Sequence, residues 1–224
     1  MQSARVCISL LMLAAALSAQ AAGTIQATGT GTVNVNPDQV QLNVTISTDG
    51  ATAAAATQQN ATQSAAVTKA LQQVLGNSGL LQTVGYSVYP RYSNSPGQAS
   101  TIVGYTASNT LQITSSDLTL AGPLIDAANQ AGATSTAGLN FGLKDSDPAR
   151  LQALALASKQ ALAHASAIAS GLGAHAGAVV SAQESASAGT PIYTSLQGAA
   201  SSTQITSGTV AVNATVTVTV QLTQ

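Results

Sequence analysis

Gly208-Thr209-Val210-Ala211-Val212-Asn213-Ala214-Thr215-Val216-Thr217-Val218-Thr219-Val220-Gln221-Leu222 places an apolar side chain at every even position from Val210 and a polar one at nearly every odd position. Successive side chains of a β-strand point to opposite faces, so the stretch predicts a half-buried strand with one dry valine face. A strand of this length is not stable alone. It requires paired neighbours on both edges and a layer that covers its valines.

Other segments supply those parts. Ile25, Ala27, Gly29, Gly31, Val33 and Val35 alternate with polar residues, and after Asn36-Pro37-Asp38 the alternation resumes at Val40, Leu42, Val44 and Ile46. The two runs predict a hairpin or an adjacent bent pair. Thr52 to Leu75 turns to Ala and Gln, with Val67, Ala70, Leu71, Val74 and Leu75 at helical spacing, and Gly76-Asn77-Ser78-Gly79 ends it. Asn60, seven residues before Val67, falls on the apolar face and calls for a hydrogen-bond partner in a neighbouring strand.

Val84 to Tyr92 and Val103 to Ile113 read as a strand pair around a loop with Pro96-Gly97 at its tip. Asp117 is a capping residue for a short helix through Ala128, with Pro123 requiring a late or irregular start. Ala137 to Leu143 reads as a strand. A long helix follows from Asp145-Ser146-Asp147-Pro148, with Leu151, Leu154, Ala155, Ser158, Leu162, Ala165, Ala169 and Leu172 as its expected buried stripe, narrow enough to approach a sheet closely. Val179 and Val180 start a strand to about Glu184. The predicted class is α+β, antiparallel sheets covered by amphipathic helices in the order β-β-α-β-β-α-β-α-β-β.

Charged residues make up 6 % of the 224, six basic and seven acidic. That balance leaves no basic stripe for nucleic acid and no polybasic segment for anionic lipid. Arg5, the apolar run Val6 to Leu17 and Ala19-Gln20-Ala21 have the form of an export signal over residues 1–21, and twelve apolar residues are too few to span a bilayer. The expected location is periplasmic or secreted. Cys7 is the single cysteine. A chain starting after Ala21 carries no disulfide and depends on packing.

Motifs for catalysis are missing: there is no nucleophile elbow, zinc-protease helix, cysteine pair or phosphate loop. Gly29-Thr30-Gly31 lacks a third glycine and a following helix, which favours a bulge or close backbone approach. His164 and His175, the two histidines, read as exposed and unliganded, and Asp145 and Asp147 as helix-start caps rather than an acid/base pair. No enzyme activity, cofactor or metal is expected. Tyr86, Tyr89, Tyr92 and Tyr105 cluster on the predicted hairpin, where cross-strand packing competes with a contact role. Ser185 to Ser207 has no periodicity and holds Pro191-Ile192-Tyr193. Tyr89, Tyr92, Pro191, Ile192 and Tyr193 are the candidate partner or assembly residues.

Taken together, Ala27-Thr28-Gly29-Thr30-Gly31 with Pro37-Asp38, Asn60, Pro90-Arg91-Tyr92 and Gly104-Tyr105-Thr106-Ala107-Ser108-Asn109 resemble the SIMPL-domain family. So do Asp117-Leu118 with Gly122, Ile125-Asp126, Ala131-Gly132-Ala133, Phe141, Gly171-Leu172-Gly173, Glu184 and Gly208. The resemblance spans nearly all of 22–224, a single SIMPL-like domain with room for two packed lobes. It implies a periplasmic or outer-membrane-associated protein, a tendency to ring-like or channel-like homo-oligomers, a link to oxidative-stress defence in some members, and no established catalytic residues.

Overall fold

A computed structural model describes residues 23–93, 99–185, 205 and 207–224. The export-signal reading, the Pro96-Gly97 tip and Pro191-Ile192-Tyr193 lie outside them. Among the described residues, seven strands and three α-helices follow in the predicted order: β1 (Thr24–Val35), β2 (Gln39–Gly50), α1 (Ala53–Leu75), β3 (Gly79–Tyr92), β4 (Ile102–Ser115), α2 (Ala121–Gln130), β5 (Ser135–Gly142), α3 (Asp147–Gly171), β6 (His175–Ser185) and β7 (Val210–Thr223). They form two antiparallel sheets, β1-β7-β6 and β3-β4-β2-β5.

β7 is the valine-faced strand of the opening stretch, and it has the two neighbours and the cover that its pattern demands. It pairs with β1 without a slip from Thr24↔Gln221 to Val35↔Val210. The buried residues Val216, Val218 and Val220 lie opposite Gly29, Ala27 and Ile25, all under α3. β1 and β2 do not form a hairpin or an adjacent pair. Asn36-Pro37-Asp38 carries the chain from one sheet to the other, where β2 pairs with β4 and β5. Asp38 fastens this crossing: its N–H donates to the Gly142 carbonyl at 3.0 Å, and its Oδ1 accepts the Lys144 N–H at 2.7 Å.

The buried stripe of α3 also differs from the expected one. Ala149, Ala153, Ala157, Ala161, Ala165 and Ala169 face the sheet, one every four residues, while Leu151 and Leu172 are 66 % and 67 % exposed. Of the expected stripe, Ala165 and Ala169 alone are fully buried. The reason lies in β1. A Cβ on Gly29 would sit 2.3 Å from the Ala157 carbonyl oxygen, and one on Gly31 would sit 2.0 Å from that of Ala153. Helix backbone rests directly on strand backbone there, so a methyl is the largest side chain that fits between them, and the leucines are displaced to other faces. A ridge of every fourth residue is inclined by about 26° to the helix axis, which lets it track a twisted sheet.

The second core lies between α1, α2 and the four-stranded sheet: Leu42, Val44, Ile46, Leu111 and Ile113 meet Val67, Leu71, Leu75 and Leu124. Thr52 caps α1 by accepting the Ala55 N–H at 3.2 Å. Thr52→Ala should cost about 1 kcal/mol in urea unfolding with an unchanged slope. Pro123 is accommodated by an irregular start: a 3₁₀ turn over Leu118–Leu120, capped by Asp117, runs into α2 and leaves the proline in its first turn.

Candidate functional site

Of the residues expected to meet a partner, Tyr89 and Tyr92 stand at one end of the four-stranded sheet, and Pro191, Ile192 and Tyr193 lie outside the described residues. β2 stops at Gly50, opposite Tyr105, whereas β3 and β4 stay paired out to Tyr92↔Ile102. The hairpin therefore projects past its neighbour. α1 starts at Ala53 and runs back along β2 and β4, so its apolar row covers the sheet centre and leaves much of β3 open. Tyr86 is 54 % exposed, Tyr89 48 % and Tyr92 53 %. Leu80, Val84, Val88, Ile102 and Val103 are exposed on the same hairpin.

Tyrosine packing does not account for this cluster. Tyr86 pairs with Asn109, which turns toward α1, and Tyr89 pairs with Thr106, which turns away from it. Neighbours on opposite faces of a sheet cannot form one aromatic platform. Tyr89 instead shares its face with a polar group: the Arg91 guanidinium pairs with Asp49, whose other oxygen accepts from Thr106 Oγ1 at 2.5 Å. Both charged side chains are about half exposed, so the pair contributes under ~1 kcal/mol to stability. Its effect is to neutralise the projecting end of the hairpin. Sequence patterning gave no sign of this pair, since Asp49 and Arg91 are 42 positions apart.

Asn60 finds the strand partners that its place on α1 requires. Its Nδ2 donates to the carbonyls of Ile46 at 2.9 Å and Ala107 at 3.0 Å, joining α1 to the two central strands. Ser64 Oγ donates to Asn60 Oδ1 and accepts from Asn109 Nδ2. Beside this network, Thr48, Gln58, Gln59, Thr62 and Gln63 line an open cleft of about 510 Å³. Its walls offer amides and hydroxyls and no charge.

His164 is exposed, as its position on α3 suggests, and its Nδ1 hydrogen-bonds the Thr28 carbonyl at 2.8 Å. His175 is exposed and opens β6. Asp145 Oδ1 accepts the Asp147 N–H at 2.9 Å, which is a helix-start role. Arg150 donates to Glu184 at 2.6 Å, and that hydrogen bond, then the Glu184 charge, raises the guanidinium above its ordinary value. Among the described residues, no three His, Cys, Asp or Glu side chains converge as a metal site, and no helix is long and apolar enough to cross a membrane.

Two helix-backed antiparallel sheets with a projecting hairpin define an α+β protein whose most distinctive exposed feature is the apolar surface of that hairpin. The chain belongs to the SIMPL family, described as protein of unknown function (DUF541), whose family model matches residues 25–220. No curated protein matches it.

Proposed function

We propose that the protein is a non-enzymatic component of the cell envelope, periplasmic or outer-membrane-associated, that acts by oligomerisation or partner contact. The observation that carries this reading is the apolar surface left open on the β3–β4 hairpin, with Tyr86, Tyr89 and Tyr92 about half exposed. Contiguous exposed apolar surface on a soluble domain marks contact sites, and tyrosine suits them because a large ring is combined with a polar tip. The envelope location is supported by the charged, apolar and small-residue sequence of positions 1–21.

Light scattering over a wide concentration range tests assembly. The protein should sediment and scatter as a multiple of its 22.0 kDa chain mass or a smaller processed form. The combined variant Tyr86→Ser, Tyr89→Ser, Tyr92→Ser should shift toward monomer at least tenfold in dissociation constant, with a melting temperature within a few degrees of the parent. A strict monomer at all concentrations that also captures no envelope partner would end this reading.

The neutral cleft at Gln58, Gln59 and Gln63 favours a second one, a binding or protective module for a small polar ligand linked to oxidative-stress defence. A saturable rise in melting temperature with one compound class, lost in Gln59→Leu, would support it.

A further inference from the structure

Among the described residues four strands end the two sheets, and three of those edges are covered, irregular or short. α3 leans over β1, where Gln160 Oε1 accepts the Thr30 N–H and His164 Nδ1 bonds the Thr28 carbonyl. β6 slips register twice against β7 and carries the Glu184 carboxylate paired with Arg150. β5 has eight residues, a register shift against β2 and Gly138 at φ +64°. Bulges, short strands and charges are the devices by which sheet proteins avoid pairing with other chains.

β3 differs. It is fourteen residues long, has no charged residue from Gly79 to Pro90, and has β4 as its one strand neighbour among the described residues. Its register with β4 shifts between Thr83 and Gly85 and again between Arg91 and Tyr92, but is unbroken over the seven residues from Gly85 to Arg91, whereas the two shifts of β6 fall within Ala176 to Ser181. An unpaired row of amides and carbonyls with apolar side chains on both faces is a template for one more strand.

We propose that β3 pairs antiparallel with β3 of a second copy of this chain, with the twofold axis at Ser87. This rests on the assembly reading above and names its interface. Residues equidistant from Ser87 then face each other. Tyr86 lies opposite Val88 of the partner subunit, an aromatic against a β-branched side chain, which is a favoured cross-strand pair. Tyr89 lies opposite Gly85 of the partner subunit, where a ring covers a residue without a side chain. Arg91 lies beyond Gly85 of the partner subunit, so the two guanidinium groups stand at opposite ends of the paired segment and like charges do not meet. The low charge of the whole chain, formally −1, adds little repulsion between copies.

A thiol placed on the axis tests the register. In a Cys7→Ser background the full chain has no other cysteine. Ser87→Cys should give covalent dimers with a short bis-maleimide at least tenfold faster than Ile168→Cys, whose site is exposed on α3. Adding Val88→Lys should slow the Ser87→Cys reaction at least tenfold. Assembly by light scattering with no preference for Ser87 over Ile168, or with no effect of Val88→Lys, overturns the β3 interface and leaves the assembly reading standing. A monomer that neither cross-links nor captures a partner overturns both.

Discussion

Gly29→Val should cost ~3 kcal/mol or more of folding stability, and Gly29→Ala about 2, measured by urea unfolding. A Cβ at this position would lie 2.3 Å from the Ala157 carbonyl oxygen and 2.4 Å from the Ala161 amide nitrogen. Neither atom belongs to a side chain that could rotate away. Both are helix backbone, held by hydrogen bonds along α3, so relief requires the whole helix to lift from β1. Lifting it would open the row of Ala153, Ala157, Ala161 and Ala165 and uncover Val216 and Val218 of β7. Overpacking and loss of burial therefore act together. Gly142→Ala is the control: nothing lies within 4 Å of a Cβ there and its φ is not positive, so the change should stay within ~0.5 kcal/mol. Equal losses at the two positions would mean that α3 is not seated on β1.

The same contact explains what the sequence could and could not convey. Period-two alternation identified β1, β2, β4 and β7 because each has one dry and one wet face, and the order of strands and helices followed. The partner of β1 was not legible, since Ile25 to Val35 alternates equally well beside β2 or β7. The covered face of α3 was hidden for a related reason. Leucine ordinarily marks the buried side of a helix, but here two glycines leave no side-chain layer on the strand, and a row of alanines is what fits. Asn60 was legible because the apolar spacing of α1 points it inward with polar groups to satisfy. At the candidate site, sequence placed Tyr89 and Tyr92 on a hairpin. Strand alternation alone puts Tyr86 and Tyr89, three positions apart, on opposite faces, whereas which of them faces α1 is set by register with β4, including a shift near Thr83 that no local pattern encodes.

Asn60→Asp should destabilise the fold by ~4 kcal/mol at neutral pH, although it changes the side chain by one atom. Asn60 is wholly buried. Its Nδ2 supplies one hydrogen to Ile46 and one to Ala107, and a carboxylate supplies none while directing negative charge at the same two carbonyls. Burial and those carbonyls both disfavour ionisation, so the folded-state pKa of the introduced carboxyl lies above its unfolded value of about 3.9. The sign follows by linkage. Relative to the parent, the charge penalty is absent below the unfolded pKa, where the protonated group also donates one hydrogen bond, and it grows as pH rises through the folded pKa. The stability difference between parent and variant should therefore shrink as pH falls from 7 toward 4. Asn60→Leu, which leaves the two carbonyls without this donor but adds no charge, should lose about 2 kcal/mol at every pH. If the Asn60→Asp difference were small and flat with pH, water would be reaching the side chain, and α1 would not be sealed against the two central strands.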